Sequence, residues 1–276
     1  KLKNFYRKFA RYIFKLYLTR FKFYFNYYIL RDQKLTSLFH IAGTYGKSDA
    51  HMGVYDVLQA LLKRKQVKNV LEIGIGGHTH EFVGGQSLFT LEFYFSKANI
   101  YGIDFVKKDF LNKKRIKTFQ CDEANSIEMS GIANKIGKLD LIIDDGSHMP
   151  QNQIKNFVIL FKHLNDGGFY LIEDLSGSYE NALGGDPNLD KHKNIISMMK
   201  DYVHNVNSHM LIEEQRRKGE SFIDIDSIMF FKGSILIRKK SKNNEKPWPN
   251  KYAFETLEEY NQRNNKKKLP SGIYQY

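Results

Sequence analysis

Four places in the sequence gather residue types that can do chemistry, and each follows an apolar run. Val70-Leu-Glu-Ile73 gives way to Gly74-Ile-Gly-Gly77. The run reads as a buried parallel strand, and Gly74 and Gly76 let backbone approach a ligand that a Cβ would block. The stretch 99–103 delivers Asp104, an acid placed to accept both hydroxyls of a ribose. The stretch 139–143 leads into Asp144, Asp145 and His148, which offer an acid, a base and metal ligands beside that nucleoside. A further run, 168–173, ends in Glu173 with Asp174 behind it, adding a second pair of carboxylates.

These residues can cooperate only if the strands carrying them lie side by side. Strand patterns at 69–73, 99–104, 116–120, 139–144 and 168–173 alternate with helical patterns at 86–97, 124–135 and 150–163. The connections are therefore crossovers and the sheet is parallel. Pro150 suits the first turn of its helix, and Asn165-Asp-Gly-Gly168 ends it. A glycine-rich loop at 176–186 leads to a helical stretch at 189–204, and strand runs at 223–231 and 234–238 flank Lys232-Gly233, a hairpin signal. The expected fold is α/β: a Rossmann-like, doubly wound, mostly parallel seven-stranded sheet with a C-terminal antiparallel hairpin and a helical N-terminal extension. Residues 1–40 form the basic aromatic extension, 41–240 the main domain and 241–276 a basic tail. The segment 41–65 reads as an N-terminal lid, with a polar loop at 43–53 and a helix at 54–65. Lys47, Ser48, His51 and Tyr55 are its candidate contacts with cofactor or substrate.

At 276 residues the chain can bury a full core as one α/β domain with extensions. The single Cys121 excludes an intramolecular disulfide framework and points to a reducing compartment. No export signal is legible in the basic N-terminus, so a cytoplasmic location is expected. The net charge of +13 is uneven: residues 1–40 hold ten Lys or Arg against Asp32 alone. Twelve Phe or Tyr residues lie between Phe5 and Tyr28, interrupted by cations too often for a membrane-crossing helix of about 20 apolar residues. On a helix, Lys8, Arg11, Lys15 and Lys22 share one face, while Tyr6, Phe9, Ile13, Tyr17, Tyr24 and Tyr28 lie opposite. Such a segment, residues 1–34, suits an anionic membrane surface. The alternatives are that its aromatics pack on the domain or on a partner subunit, or bind single-stranded nucleic acid. A homo-oligomer stays open.

A dinucleotide site requires Gly-x-Gly-x-x-Gly with an acid about 20 residues on. Here the third glycine is replaced by Thr79, and Asp104 lies 30 residues after Gly74. The pattern instead resembles the class I S-adenosylmethionine-dependent methyltransferases. Glu72-Ile-Gly-Ile-Gly-Gly77 matches their first motif, Asp104 their ribose acid and Phe119-Gln-Cys-Asp122 their adenine-binding segment, over about residues 66–240. The resemblance implies that Glu72, Gly74, Gly76, Asp104 and Asp122 form the S-adenosylmethionine site. Asp144 faces its methionine side or caps the following helix.

The amine-holding Asn/Asp-Pro-Pro-Tyr motif of nucleic-acid and protein amino methyltransferases is absent; Asp144-Asp-Gly-Ser-His148 stands in its place. A hydroxyl acceptor must lose a proton as it attacks, which calls for a base, a metal, or both. Adjacent strand ends lie about 5 Å apart, so Asp145, Glu173 and Asp174 can converge on one Mg²⁺, a hard cation that takes carboxylates and waters. With Tyr170-Leu-Ile-Glu-Asp-Leu175 and Gly43-Thr-Tyr-Gly-Lys-Ser48, the region resembles the macrocin and mycinamicin-type sugar O-methyltransferases. That resemblance implies Asp145, Glu173 and Asp174 as metal ligands and His148 as general base, with Asp145 retaining a share of the base role. It implies a deoxysugar hydroxyl on a small-molecule or glycan acceptor; the basic aromatic N-terminus suggests a surface-polysaccharide precursor, and a natural-product glycoside fits the same site. His78, His80 and His163 read as surface or loop residues. Two other classes compete: a basic RNA methyltransferase, favoured only by charge, and a non-catalytic module that keeps the nucleoside site.

Overall fold

The structure is a computed structural model that describes residues 2–188, 194–207 and 224–241. Among these residues a single sheet has seven strands: β1 Asn69–Ile73, β2 Asn99–Asp104, β3 Ile116–Gln120, β4 Leu139–Asp144, β5 Leu164–Ile172, β6 Ile225–Phe231 and β7 Ser234–Lys239. Their order is β3-β2-β1-β4-β5-β7-β6. The first five are parallel, and β7 runs antiparallel to both neighbours, with Ile172 opposite Ile235. The expected α/β sheet with its terminal hairpin is the observed one. Strand order reverses at β1, between β2 and β4, and in open α/β sheets the crevice beyond the strands' carboxyl ends at such a point takes the ligand.

The pleat sends successive residues to opposite faces. Val70, Ile100, Leu141, Ile143 and Leu171 enter one core with Leu88 and Leu91. Leu71, Ile73, Ile142, Tyr170 and Ile172 enter the other with Met129, Phe157 and Leu160. The helices are α1 Leu2–Tyr24, α2 Leu35–Ala42, α3 Met52–Leu61, α4 Gln86–Tyr94, α5 Ser126–Ile136, α6 Pro150–Leu160, α7 Ile195–Asp201 and α8 Val203–Val206. Asn125 caps α5 by accepting from the Glu128 amide, and Asn194 and Ser197 form a capping box on α7. Residues 189–193 of the expected 189–204 helix, residue 223 of the next expected strand and 242–276 of the tail lie outside the described residues.

Two local readings change. The polar loop expected at 43–53 holds a π-helical turn, Gly46–Ala50. Gly43 ends α2 in the left-handed conformation, and the Thr44 carbonyl accepts from the Lys47 and Ser48 amides, restarting the coil. Asn165-Asp-Gly-Gly168, expected to end the helix at 150–163 ahead of a strand from 168, lies within β5, which starts at Leu164, and the register to β4 shifts there, between Leu139 and Leu141.

The main core starts upstream of residue 41. Phe23 and Tyr27 are buried with Leu35, Leu38 and Phe39. Phe93 lies against both rings, and the Arg64 guanidinium stacks 4.7 Å from the Tyr27 centroid. Phe14, Tyr17, Phe21, Tyr24 and Tyr28 are exposed. No helix among the described residues is long and apolar enough to cross a membrane.

Candidate active site

A cleft of about 760 Å³ opens beyond the carboxyl ends of β1, β2 and β4, a volume suited to a nucleoside-sized ligand. Gly74, Gly76, Asp104 and Asp122 line it together with Asp145 and His148. Asp104 is oriented by its own surroundings: one oxygen accepts from the Ile75 amide at 3.2 Å, the other from the Val106 amide at 2.8 Å. Asp122 accepts from the Ala124 amide at 2.9 Å. Gly74 has φ +75°, and a Cβ on it would stand 1.9 Å from the Asp145 carbonyl oxygen. The bare glycine is what allows the turn after β1 to touch the turn after β4.

Behind the cleft, one ammonium meets three acids. Lys47 Nζ lies 3.1 Å from Glu72, 2.9 Å from Asp145 and 2.8 Å from Glu173. Glu72 also accepts from the Ser87 hydroxyl at 2.6 Å, and the Tyr55 hydroxyl donates to Glu173. Burial, which alone would lower the Lys47 pKa, is outweighed by Asp145 and Glu173, so it stands well above the ordinary lysine value. Burial raises Glu72. Burial, with Glu173 and Glu72, also raises Asp145 against the opposing pull of Lys47.

Nearer the solvent, Asp174 takes a left-handed backbone (φ +50°) and stands between two imidazoles. His51 Nε2 is 3.1 Å from one carboxylate oxygen and His148 Nε2 is 3.6 Å from the other. The His51 hydrogen bond holds Asp174 below the usual carboxylate range. Burial would lower His51, but Asp174 and Glu173 raise it overall. Ligand atoms of Asp145, His148 and Asp174 all lie within 4.8 Å of one another. Two carboxylates at that spacing, with room for water at a half-exposed edge, fit a hard divalent cation. Glu173 turns away from this trio, toward Lys47 and Tyr55.

No protein-family model matches the chain. Among curated relatives, the mycinamicin VI 2''-O-methyltransferase of Micromonospora griseorubida is 39% identical over 122 residues, 44% of this chain and 31% of that protein. The demethylmacrocin O-methyltransferase of Streptomyces fradiae is 35% identical over 155 residues, 56% of this chain and 39% of that protein. The MycE methyltransferase of the mycinamycin biosynthetic pathway, solved in complex with Mg and SAH, superposes with a TM-score of 0.70 at 26% identity, covering 86% of this chain and 60% of that one. This chain has the class I methyltransferase fold and resembles the macrocin and mycinamicin type. It spans only 31% to 39% of the length of these curated relatives.

Within that class I frame, several candidate residues fall differently from their sequence reading. Asp144 does not reach the cofactor cleft and caps no helix. It is buried on the α6 side, takes a hydrogen bond from the Tyr170 hydroxyl at 3.0 Å, and burial pushes its pKa up to about 8. Pleat alternation explains this, because Asp144 shares the face of Ile142. Glu72 is fully buried and anchors Lys47 and Ser87 without lining the cleft. Ser48 bonds within its own turn, to Asp49 at 2.7 Å, while Lys47, His51 and Tyr55 reach the acid cluster. His78 is the exposed loop residue expected, and it also lines the cleft. Sequence reasoning missed Glu123, whose carboxylate accepts from the Ser147 amide at 2.7 Å and from the Asn152 and Asn156 side chains. It pins the turn that carries His148 to the end of β3. The signal was its place directly after Asp122.

Proposed function

We propose that this chain is an S-adenosylmethionine-dependent, Mg²⁺-assisted O-methyltransferase acting on a hydroxyl of a sugar or sugar-like acceptor. The observation that carries the reading is the meeting of Asp145, His148 and Asp174 at a cleft that Asp104 also lines. When bound, the sulfonium cofactor supplies an electrophilic methyl group and Mg²⁺ supplies a Lewis acid that lowers a hydroxyl pKa. Gly74, Gly76, Asp104 and Asp122 would hold the cofactor, Asp104 by its ribose hydroxyls and Asp122 by its adenine amine. Asp145 and Asp174 would hold the metal, with Glu173 joining them if Lys47 releases it. His148 takes the acceptor proton on Nε2, where Asp174 at 3.6 Å stabilises the resulting imidazolium. Relatives named for 2''-O and 3'-O methylation of glycosides support a sugar hydroxyl as the acceptor class.

Transfer of a labelled methyl group to a panel of deoxysugar glycosides and polysaccharide precursors should stop in chelator and resume with Mg²⁺. Turnover undiminished by chelator removes the metal from the reading.

We also infer a cytoplasmic enzyme that works against an anionic membrane surface. The support is the exposed face of α1, where Phe14, Tyr17 and Phe21 stand in solvent beside the exposed cations Arg11, Lys15, Arg20 and Lys22. Truncation through residue 34 would remove the buried Phe23 and Tyr27, so the clean variant is Phe14→Ser with Tyr17→Ser and Phe21→Ser. The unaltered chain should float with phosphatidylserine vesicles but not with phosphatidylcholine vesicles, and the triple variant should float with neither. Equal flotation of both proteins ends this inference.

A further inference from the structure

The proposed chemistry gives Lys47 no task, yet its ammonium is among the most heavily engaged groups in the molecule. It is 5% exposed and receives a carboxylate from β1, from the turn after β4 and from the end of β5. Glu72 is 0% and Glu173 1% exposed. Acids buried this deeply are costly unless a cation offsets them. Lys47 provides that cation from a different part of the chain, the turn Gly46–Ala50, tying the segment before α3 to three strand ends. A divalent ion at the same cluster would engage some of the same oxygens. Asp145 belongs both to the Lys47 cluster and to the Asp145–His148–Asp174 group, and Glu173 can face that group only by loosening its hold on Lys47.

We propose that Lys47 is a built-in counter-cation of the carboxylate cluster that shares Asp145 and Glu173 with the divalent ion and competes with it. Metal loading is thereby coupled to the seating of the 46–50 turn. The inference rests on the metal reading above and deepens it. Lys47 is a positioning residue, not a contact of the acceptor. In the metal-free protein it keeps the acids together; in the loaded protein it moderates how tightly they grip the ion.

The test uses the full chain stripped of metal, with Mg²⁺ binding followed by calorimetry and thermal unfolding followed in chelator. Lys47→Met should bind Mg²⁺ roughly tenfold or more tightly than the unaltered chain, because one nearby positive charge is gone. It should unfold at a lower temperature without metal and regain most of that loss with Mg²⁺. Lys47→Arg should stay near the unaltered chain. Lys47→Met combined with Glu72→Gln should recover metal-free melting, since one uncompensated acid is neutralised. If Lys47→Met will not fold in chelator, refolding in Mg²⁺ is the readout: recovery supports the proposal and failure overturns it. Unchanged or weaker Mg²⁺ binding by Lys47→Met overturns it while leaving the metal reading intact. So does a melting loss that neither Mg²⁺ nor Glu72→Gln restores, which would reduce Lys47 to packing. Absence of Mg²⁺ binding in both proteins sinks the metal reading and this proposal with it.

Discussion

Replacing His148 by asparagine is expected to lower the methyl-transfer rate by about 10²–10⁴-fold, the usual contribution of a positioned general base, while leaving cofactor binding within a few-fold. Asparagine is the informative replacement because His148 sits at φ +61°, a left-handed conformation that Asn tolerates better than most residues. His148→Ala adds backbone strain to the loss of the base and should also melt lower. A second constraint acts on the same backbone: a Cβ on Gly177 would stand 1.9 Å from the His148 carbonyl oxygen, so the turn is held from behind. Single-turnover rates with saturating cofactor, alongside titration with S-adenosylhomocysteine, separate the two effects. Full turnover in His148→Asn would move the base role to Asp145.

The two glycines after β1 should fail in different ways when each is changed to alanine. At Gly74 the new Cβ meets the Asp145 carbonyl oxygen at 1.9 Å, its carbon at 2.6 Å and Gly146 Cα at 2.9 Å. Backbone cannot yield there without separating β1 from the turn that carries Asp145. The left-handed φ costs about 1–2 kcal/mol and overpacking about 1–3 kcal/mol more. Gly74→Ala should therefore melt well below the unaltered chain and lose both cofactor and metal binding. Gly76 has the same φ of +75°, but the nearest atom to its added Cβ is 3.9 Å away. Gly76→Ala bears the same left-handed cost without the overpacking, so it should stay folded, melt less far below the unaltered chain than Gly74→Ala, and lose chiefly cofactor affinity, because the methyl group projects from a residue that lines the cleft. Melting temperatures together with S-adenosylhomocysteine dissociation constants distinguish these outcomes. Equal loss of stability in both variants would contradict the assigned division of labour.

The sheet was legible because each strand is a short apolar run closed by glycine or acid, and the hairpin because Lys232-Gly233 separates two such runs. The placement of acids at strand ends was legible for the same reason. Their directions were less so. Asp144 and Asp145 are neighbours that face opposite ways, and the pleat counted back to Leu141 and Ile142 would have sorted them. Glu173 and Asp174 also diverge, but there the left-handed Asp174 breaks the count, and no local pattern announces it. The Lys47 cluster was beyond reading from spacing, since its contacts join residues 98 and 126 positions apart. For Glu123 its place after Asp122 marked the residue, but not its partners, which lie on α6 and in the turn before it.

The antiparallel β7 bears on how the site comes into being during synthesis. The turn after Asp174 is braced by the Leu175 amide donating to the Gly233 carbonyl at 3.1 Å, and Gly233 packs beside the His51 ring. Every candidate catalytic residue has been translated by position 174, but the brace arrives 59 residues later. A domain generally folds as a unit, so the acids and histidines leave the ribosome early and wait. A polypeptide released before its last hairpin would carry all of the chemistry in its sequence and lack the support that holds it in place.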